Sequence, residues 1–107
     1  MFTRVVELKA KSGKARELAQ TINNKVLPIL QRQMGFMDEM VLVSDIESDH
    51  ILALSFWNSR QDAERYNQEQ YPKVNEIISD IVDSAPVIKT FNVDMSTSHK
   101  VTVGKAA

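Results

Sequence analysis

The sequence predicts one α+β domain, a four-stranded antiparallel sheet built in the order βαββαβ. Three observations carry this prediction. The apolar period switches between two and about 3.6 in that order along the chain. A polar turn, Asp45 to Asp49, separates two strand-like runs and makes a hairpin of them. The third strand is apolar on both sides, so its sheet needs a cover on each face.

Each element follows in turn. Phe2, Val6, Leu8 and Ala10 alternate with Thr3, Val5, Glu7 and Lys9, which predicts the first strand. Ser12 and Gly13 break it, with Ser12 read as the N-cap of a helix over about Lys14 to Gln33. Ala15, Leu18, Ala19, Ile22, Val26, Ile29 and Leu30 form that helix's buried stripe. Pro28 should kink it or tighten its last turn, and Gly35 should stop it.

Phe36 to Ser44 and His50 to Asn58 are the hairpin strands. Ser59 with Asp62 resembles a capping box, opening a helical region from about Arg60 to Val82 that Pro72 breaks. Val87 to Met95 alternates again as the fourth strand. Residues 1–95 form the domain, and 96–107 are a polar tail or arm. Val101-Thr102-Val103 offers an added edge strand, although termini more often fray.

The length of 107 residues suits one domain with its own core. Thirteen basic and fourteen acidic residues leave a net charge of −1, with no basic segment to mark a nucleic-acid binder. Cysteine is absent, which removes disulfide scaffolds, thiolate nucleophiles and thiolate metal sites. The longest apolar-rich run, Ile51 to Trp57, is too short to span a bilayer, and no apolar signal core opens the chain. A cytoplasmic protein without membrane association is the expectation.

On the third strand, Leu52, Leu54 and Phe56 fill one side while Ile51, Ala53, Ser55 and Trp57 make the other apolar too. Helices cover one face. A second copy of the sheet, packed across a twofold axis, is the simplest cover for the other, so a homodimer is expected.

The segment Leu54-Ser55-Phe56-Trp57-Asn58-Ser59-Arg60-Gln61-Asp62-Ala63 resembles the signature of the antibiotic-biosynthesis-monooxygenase family. Lys11-Ser12-Gly13-Lys14-Ala15, Val26-Leu27-Pro28 and Met34-Gly35-Phe36 agree with it in order and spacing. The resemblance covers about residues 2–95. It implies a ferredoxin-like fold assembled as a dimeric α+β barrel, and either cofactor-free oxidation of reduced phenols to quinones or haem degradation. The haem-degrading branch uses an Asn, a Trp and a His where this chain has Val6, Tyr66 and Glu76. For the quinone-forming branch Trp57 matches the strand Trp, while Ala53 stands where its Asn is expected.

Trp57 is a candidate for lining an aromatic pocket, or else a core anchor. Tyr66 and Tyr71 on the second helical region could ring a cavity mouth or be half-buried helix tyrosines. Cofactor-free oxygenation needs a base and an anion stabiliser, and His50, Glu76 and Arg65 are the candidates. His50 and His99 lie too far apart for a metal site, so no metal is expected. Asp45, Glu47 and Asp49 open like a calcium loop, but His50 and Phe56 occupy its glycine and glutamate positions. Gly13, Gly35 and Gly104 form no phosphate or dinucleotide motif, and no hydrolytic triad is supported.

Two functions stay open. One is an enzyme oxidising a small apolar or aromatic molecule, a reduced phenol or quinol, without metal or flavin cofactor. The other is a non-catalytic small-molecule-binding or regulatory module. The RNA-binding version of the second lacks its exposed aromatics with flanking Gly and basic residues on strand three.

Overall fold

The computed structural model describes residues 1–101. In chain order they form β1 (Phe2–Lys9), α1 (Ala15–Thr21), a π-helical turn (Ile22–Val26), α2 (Leu27–Gln31), β2 (Phe36–Val43), β3 (His50–Trp57), α3 (Arg60–Glu69), α4 (Tyr71–Ile78) and β4 (Val87–Asn92). The strands lie in the order β2-β3-β1-β4 and every pairing is antiparallel. This is the predicted ferredoxin-like α+β class.

The first helical path departs from a regular helix at Pro28. Proline has no N–H, and its ring collides with the carbonyl four residues back, here that of Asn24. The chain widens instead: Leu27 N–H bonds to Ile22 O, five residues earlier. Ser12 is not the cap. Lys14 holds that position without a side-chain bond, because Gly13 turns through φ 76 and delays the helix start. The Asp49 carboxylate accepts the Gly13 N–H at 3.1 Å, tying the β2–β3 hairpin to this turn.

Ser59 does cap α3, its Oγ accepting from Asp62 N–H and donating to the Asp62 carboxylate at 3.0 Å. The break at Gln70 separates α3 from α4, and Pro72 falls in the first turn of α4, where a missing N–H does little harm. The last strand ends at Asn92 instead of Met95. Its partner β1 begins at Phe2, opposite Asn92, so nothing remains to pair with beyond the bond from Val93 N–H to Met1 O.

Pairing registers sort the side chains by face. Phe2, Arg4, Val6 and Leu8 lie opposite Trp57, Ser55, Ala53 and Ile51 and look toward the helices. There they meet Leu18, Ile22, Val26, Leu30, Ala63, Tyr66, Val74 and Ile78 in one core. On β2 a one-residue bulge at Met37 shifts the alternation, placing both Phe36 and Glu39 on the helix side. The other face carries Val5, Leu42, Leu52, Leu54 and Phe56, together with Met40 and Phe91, which are 46% and 51% exposed.

The tail is described as far as Val101; Thr102 and Val103 of the possible added edge strand lie outside the described residues. Ser96 Oγ accepts the N–H groups of Ser98 and His99, which bends the segment back. His99 then reaches Asp38 at 3.0 Å and lies over the Phe56 ring on the open face.

Candidate functional site

A cavity of about 40 Å³ lies between the sheet and the helices. Its apolar walls come from β1 (Val6, Leu8), the π-helical turn (Ile22, Val26) and α4 (Val74, Ile78). Five polar side chains also line it: Arg4, Glu39, Ser55, Tyr66 and Tyr71. The space holds roughly three waters, so an aromatic ring enters only if a wall moves. Glu39 also borders an open groove of about 380 Å³ between β2 and the first helical path, with Asn23 and Leu27 on its far side. The π-helical turn is thus the partition between groove and cavity.

Arg4 is 3% exposed on a central strand. Its guanidinium lies 4.3 Å from the Tyr71 ring centre and 5.2 Å from that of Tyr66, and donates to Asn67 Oδ1 at 2.6 Å. Desolvation pulls its pKa down, opposed by the two phenols; a guanidinium nevertheless remains charged. Burial pushes both phenols above their ordinary value, with Arg4 opposing the rise. Both therefore remain protonated at neutral pH. The Tyr71 hydroxyl is buried without a hydrogen-bond partner among the described residues. Although Arg4 is close to it, the guanidinium meets the Tyr71 ring by its face and gives the hydroxyl no well-aligned donor.

Glu39 is the titratable group of most chemical interest. Burial, and secondarily the neighbouring Asp38 charge, push its carboxyl up to about 7. A carboxylate near that value is a proton acceptor matched to neutral solution.

Behind Ser55 stands Trp57, which is fully buried. Its indole N–H donates to Ser55 Oγ at 2.9 Å, and its ring packs edge-on against Phe36 at 5.7 Å and tilted against Tyr66 at 5.2 Å. Trp57 thus braces two lining residues without lining the cavity itself. Of the sequence candidates, Tyr66 and Tyr71 reach the cavity. His50 sits at the hairpin end with Nδ1 3.2 Å from Glu47. Arg65 lies on the outer side of α3, paired with Asp62 at 3.0 Å, and Glu76 is exposed on α4. None of these three borders the cavity. Arg4, Glu39 and Ser55 are the polar lining residues that are not among the sequence candidates.

Among the described residues no group of His, Cys, Asp or Glu is arranged to hold a metal ion, and no helix is long and apolar enough to cross a membrane.

The fold is shared with solved structures of low sequence identity. SnoaB of Streptomyces nogalater, a cofactor-independent oxygenase, superposes with a TM-score of 0.74 at 11% identity, covering 92% of this chain and 97% of its own. The ActVA-Orf6 monooxygenase of Streptomyces coelicolor, solved with nanaomycin D, gives 0.72 at 14% identity, with 84% of each chain covered. The NE2512 protein of Nitrosomonas europaea, of unknown function, gives 0.74 at 15% identity over 90% of this chain and 91% of its own. No curated protein matches the chain. The family model for antibiotic biosynthesis monooxygenase matches residues 1–73, which include β1, Glu39, Trp57 and both tyrosines, and the chain belongs to that family.

Proposed function

We propose that the protein is a cofactor-independent monooxygenase that oxidises a small reduced aromatic or quinol in the cavity between sheet and helices. The observation that carries this is the presence, in one apolar cavity, of a carboxyl held near 7 at Glu39 and an unpartnered phenol at Tyr71. Family membership and the oxygenase neighbours support it.

The chemistry asks for few parts. Glu39 takes a proton from the phenol or from the activated C–H of the substrate, and Tyr71 donates a hydrogen bond to the oxygen that becomes negative. The resulting anion passes one electron to dioxygen, and the two radicals combine to form a C–O bond. Loss of water from the peroxide leaves the carbonyl. One oxygen atom enters the product and the other leaves as water, with the substrate supplying all the electrons. Trp57 and Tyr66 fix the shape of the wall. His50, Arg65 and Glu76 have no role in this scheme.

A second copy of the chain covers the open sheet face in this proposal, since Met40, Leu42, Val87 and Phe91 on that face are otherwise 43–51% exposed to water. The test of function is oxygen uptake by the purified protein with anthrones, naphthols and hydroquinones, without added cofactor. Uptake above the spontaneous rate, reduced in Trp57→Phe, is expected.

The alternative is a small-molecule-binding module without turnover. A cavity of about 40 Å³ admits neither a substrate nor a ligand of aromatic size until a wall moves, so its volume does not separate the two readings. A ligand that raises the melting temperature while no oxygen is consumed would select this second reading.

A further inference from the structure

The charge on Arg4 has no acidic partner. The residue is 3% exposed and is in none of the ion pairs among the described residues. One N–H is held by Asn67 Oδ1 at 2.6 Å, and two aromatic rings lie against the guanidinium. The Tyr71 hydroxyl lies beside the guanidinium without a well-aligned bond to it. A buried ion without a counter-ion is costly, and a position on a central strand leaves the side chain little freedom to swing into water.

Arg4 also has a second side. Beyond the cavity it forms part of the floor of a separate groove of about 270 Å³ between α3 and the β1–β4 edge. Phe2, Ala63 and Ile88 give that groove an apolar wall, while Asn67 and Thr90 add polar groups beside Arg4. Arg60 stands at the mouth over the Phe2 ring, with Glu64 as its partner at 3.8 Å. The volume suits a mono- or bicyclic ligand. The guanidinium comes to this groove through Asn67, which lines it and holds one of its N–H groups, and a guanidinium pairs well with an acceptor that has two coplanar oxygens.

We propose that this groove binds an aromatic carboxylate, its ring against Phe2, Ala63 and Ile88 and its carboxylate paired with Arg4. The groove shares Arg4 with the oxygenase cavity but does not rest on the oxygenase reading. Apolar walls select the ring, and Arg4 selects the charge. Asn67 fixes the plane in which the guanidinium is presented.

Calorimetric titration of the full chain with 1-naphthoate and with neutral 1-naphthalenemethanol tests this. Naphthoate is expected to bind at least tenfold more tightly. Arg4→Met should abolish the preference, and Ile88→Trp, which fills the groove from the exposed edge strand, should abolish naphthoate binding. Equal binding of the two ligands, binding of neither, or a preference that survives Arg4→Met overturns the proposal. Circular dichroism shows whether Arg4→Met has folded. If it has not, Ile88→Trp decides alone: loss of naphthoate binding supports the groove, and retention overturns it. Oxygen uptake plays no part in these readouts, so failure of the oxygenase reading leaves them interpretable.

Discussion

Replacing Glu39 with Gln separates the base from the wall it sits in. A carboxyl that titrates at about 7 in the fold, against an ordinary 4.5, destabilises the native state once ionised. The full difference corresponds to about 3 kcal/mol, and partial exposure of the side chain reduces this to roughly 1–3 kcal/mol. The sign follows from the direction of the shift. Because the folded state holds the proton more tightly, the penalty is nearly absent at pH 4, grows between 4.5 and 7, and is complete above 7. Glutamine never ionises and keeps the side chain's shape. Glu39→Gln should therefore match the parent protein at pH 4 and melt several degrees higher at pH 8, since about 1 kcal/mol moves the midpoint of a domain this size by roughly 4–8 °C. Thermal melts at the two pH values measure it. An equal change at both, or a lower melting temperature at pH 8, would refute the burial argument. The same variant should lose about a hundredfold or more of any oxygenase turnover if Glu39 is the base.

Other predictions follow from packing and turns. Leu18 is fully buried at the centre of the core, and Leu18→Ala should cost about 2–5 kcal/mol in denaturant unfolding. Gly35 has φ 84, and an added Cβ would collide with the Asp62 carboxylate at the start of α3; Gly35→Ala should cost more than about 1 kcal/mol by the same measurement. Leu42 is 43% exposed on the open sheet face, and Leu42→Glu should turn a dimer into a monomer in analytical ultracentrifugation. A parent protein that sediments as a monomer would remove the dimer from the account.

Most of the fold was legible because periodicity and punctuation agreed. The capping pair Ser59 and Asp62, the turn before β3 and the break near Pro72 all lie where their chemistry placed them. Ser12 failed as a cap because the left-handed Gly13, held by Asp49 from 36 residues away, reset the helix start. No local pattern carries that contact. The cavity was less legible, for two different reasons. Arg4 was present in the pattern, since it shares the parity of Phe2, Val6 and Leu8; a charged residue on the core side of a central strand was the available signal. Glu39 was concealed by the bulge at Met37. Simple alternation from Phe36 would put Glu39 on the opposite face, and only the register of β2 against β3 brings it beneath the helices. His50, Arg65 and Glu76 drew attention as reactive residue types, yet ordinary surface partners or open solvent surround them.

The central claim is that this chain itself supports oxygen transfer, with the substrate as the only reductant. Its most direct test is turnover of an anthrone or naphthol under ¹⁸O₂ by the purified protein without added cofactor, with mass spectrometry of the product. A carbonyl product containing a single labelled oxygen from the gas, the second label in water, and suppression of both by Glu39→Gln are expected. Product formed no faster than without protein, or a quinone whose new oxygen comes from solvent, would contradict the claim.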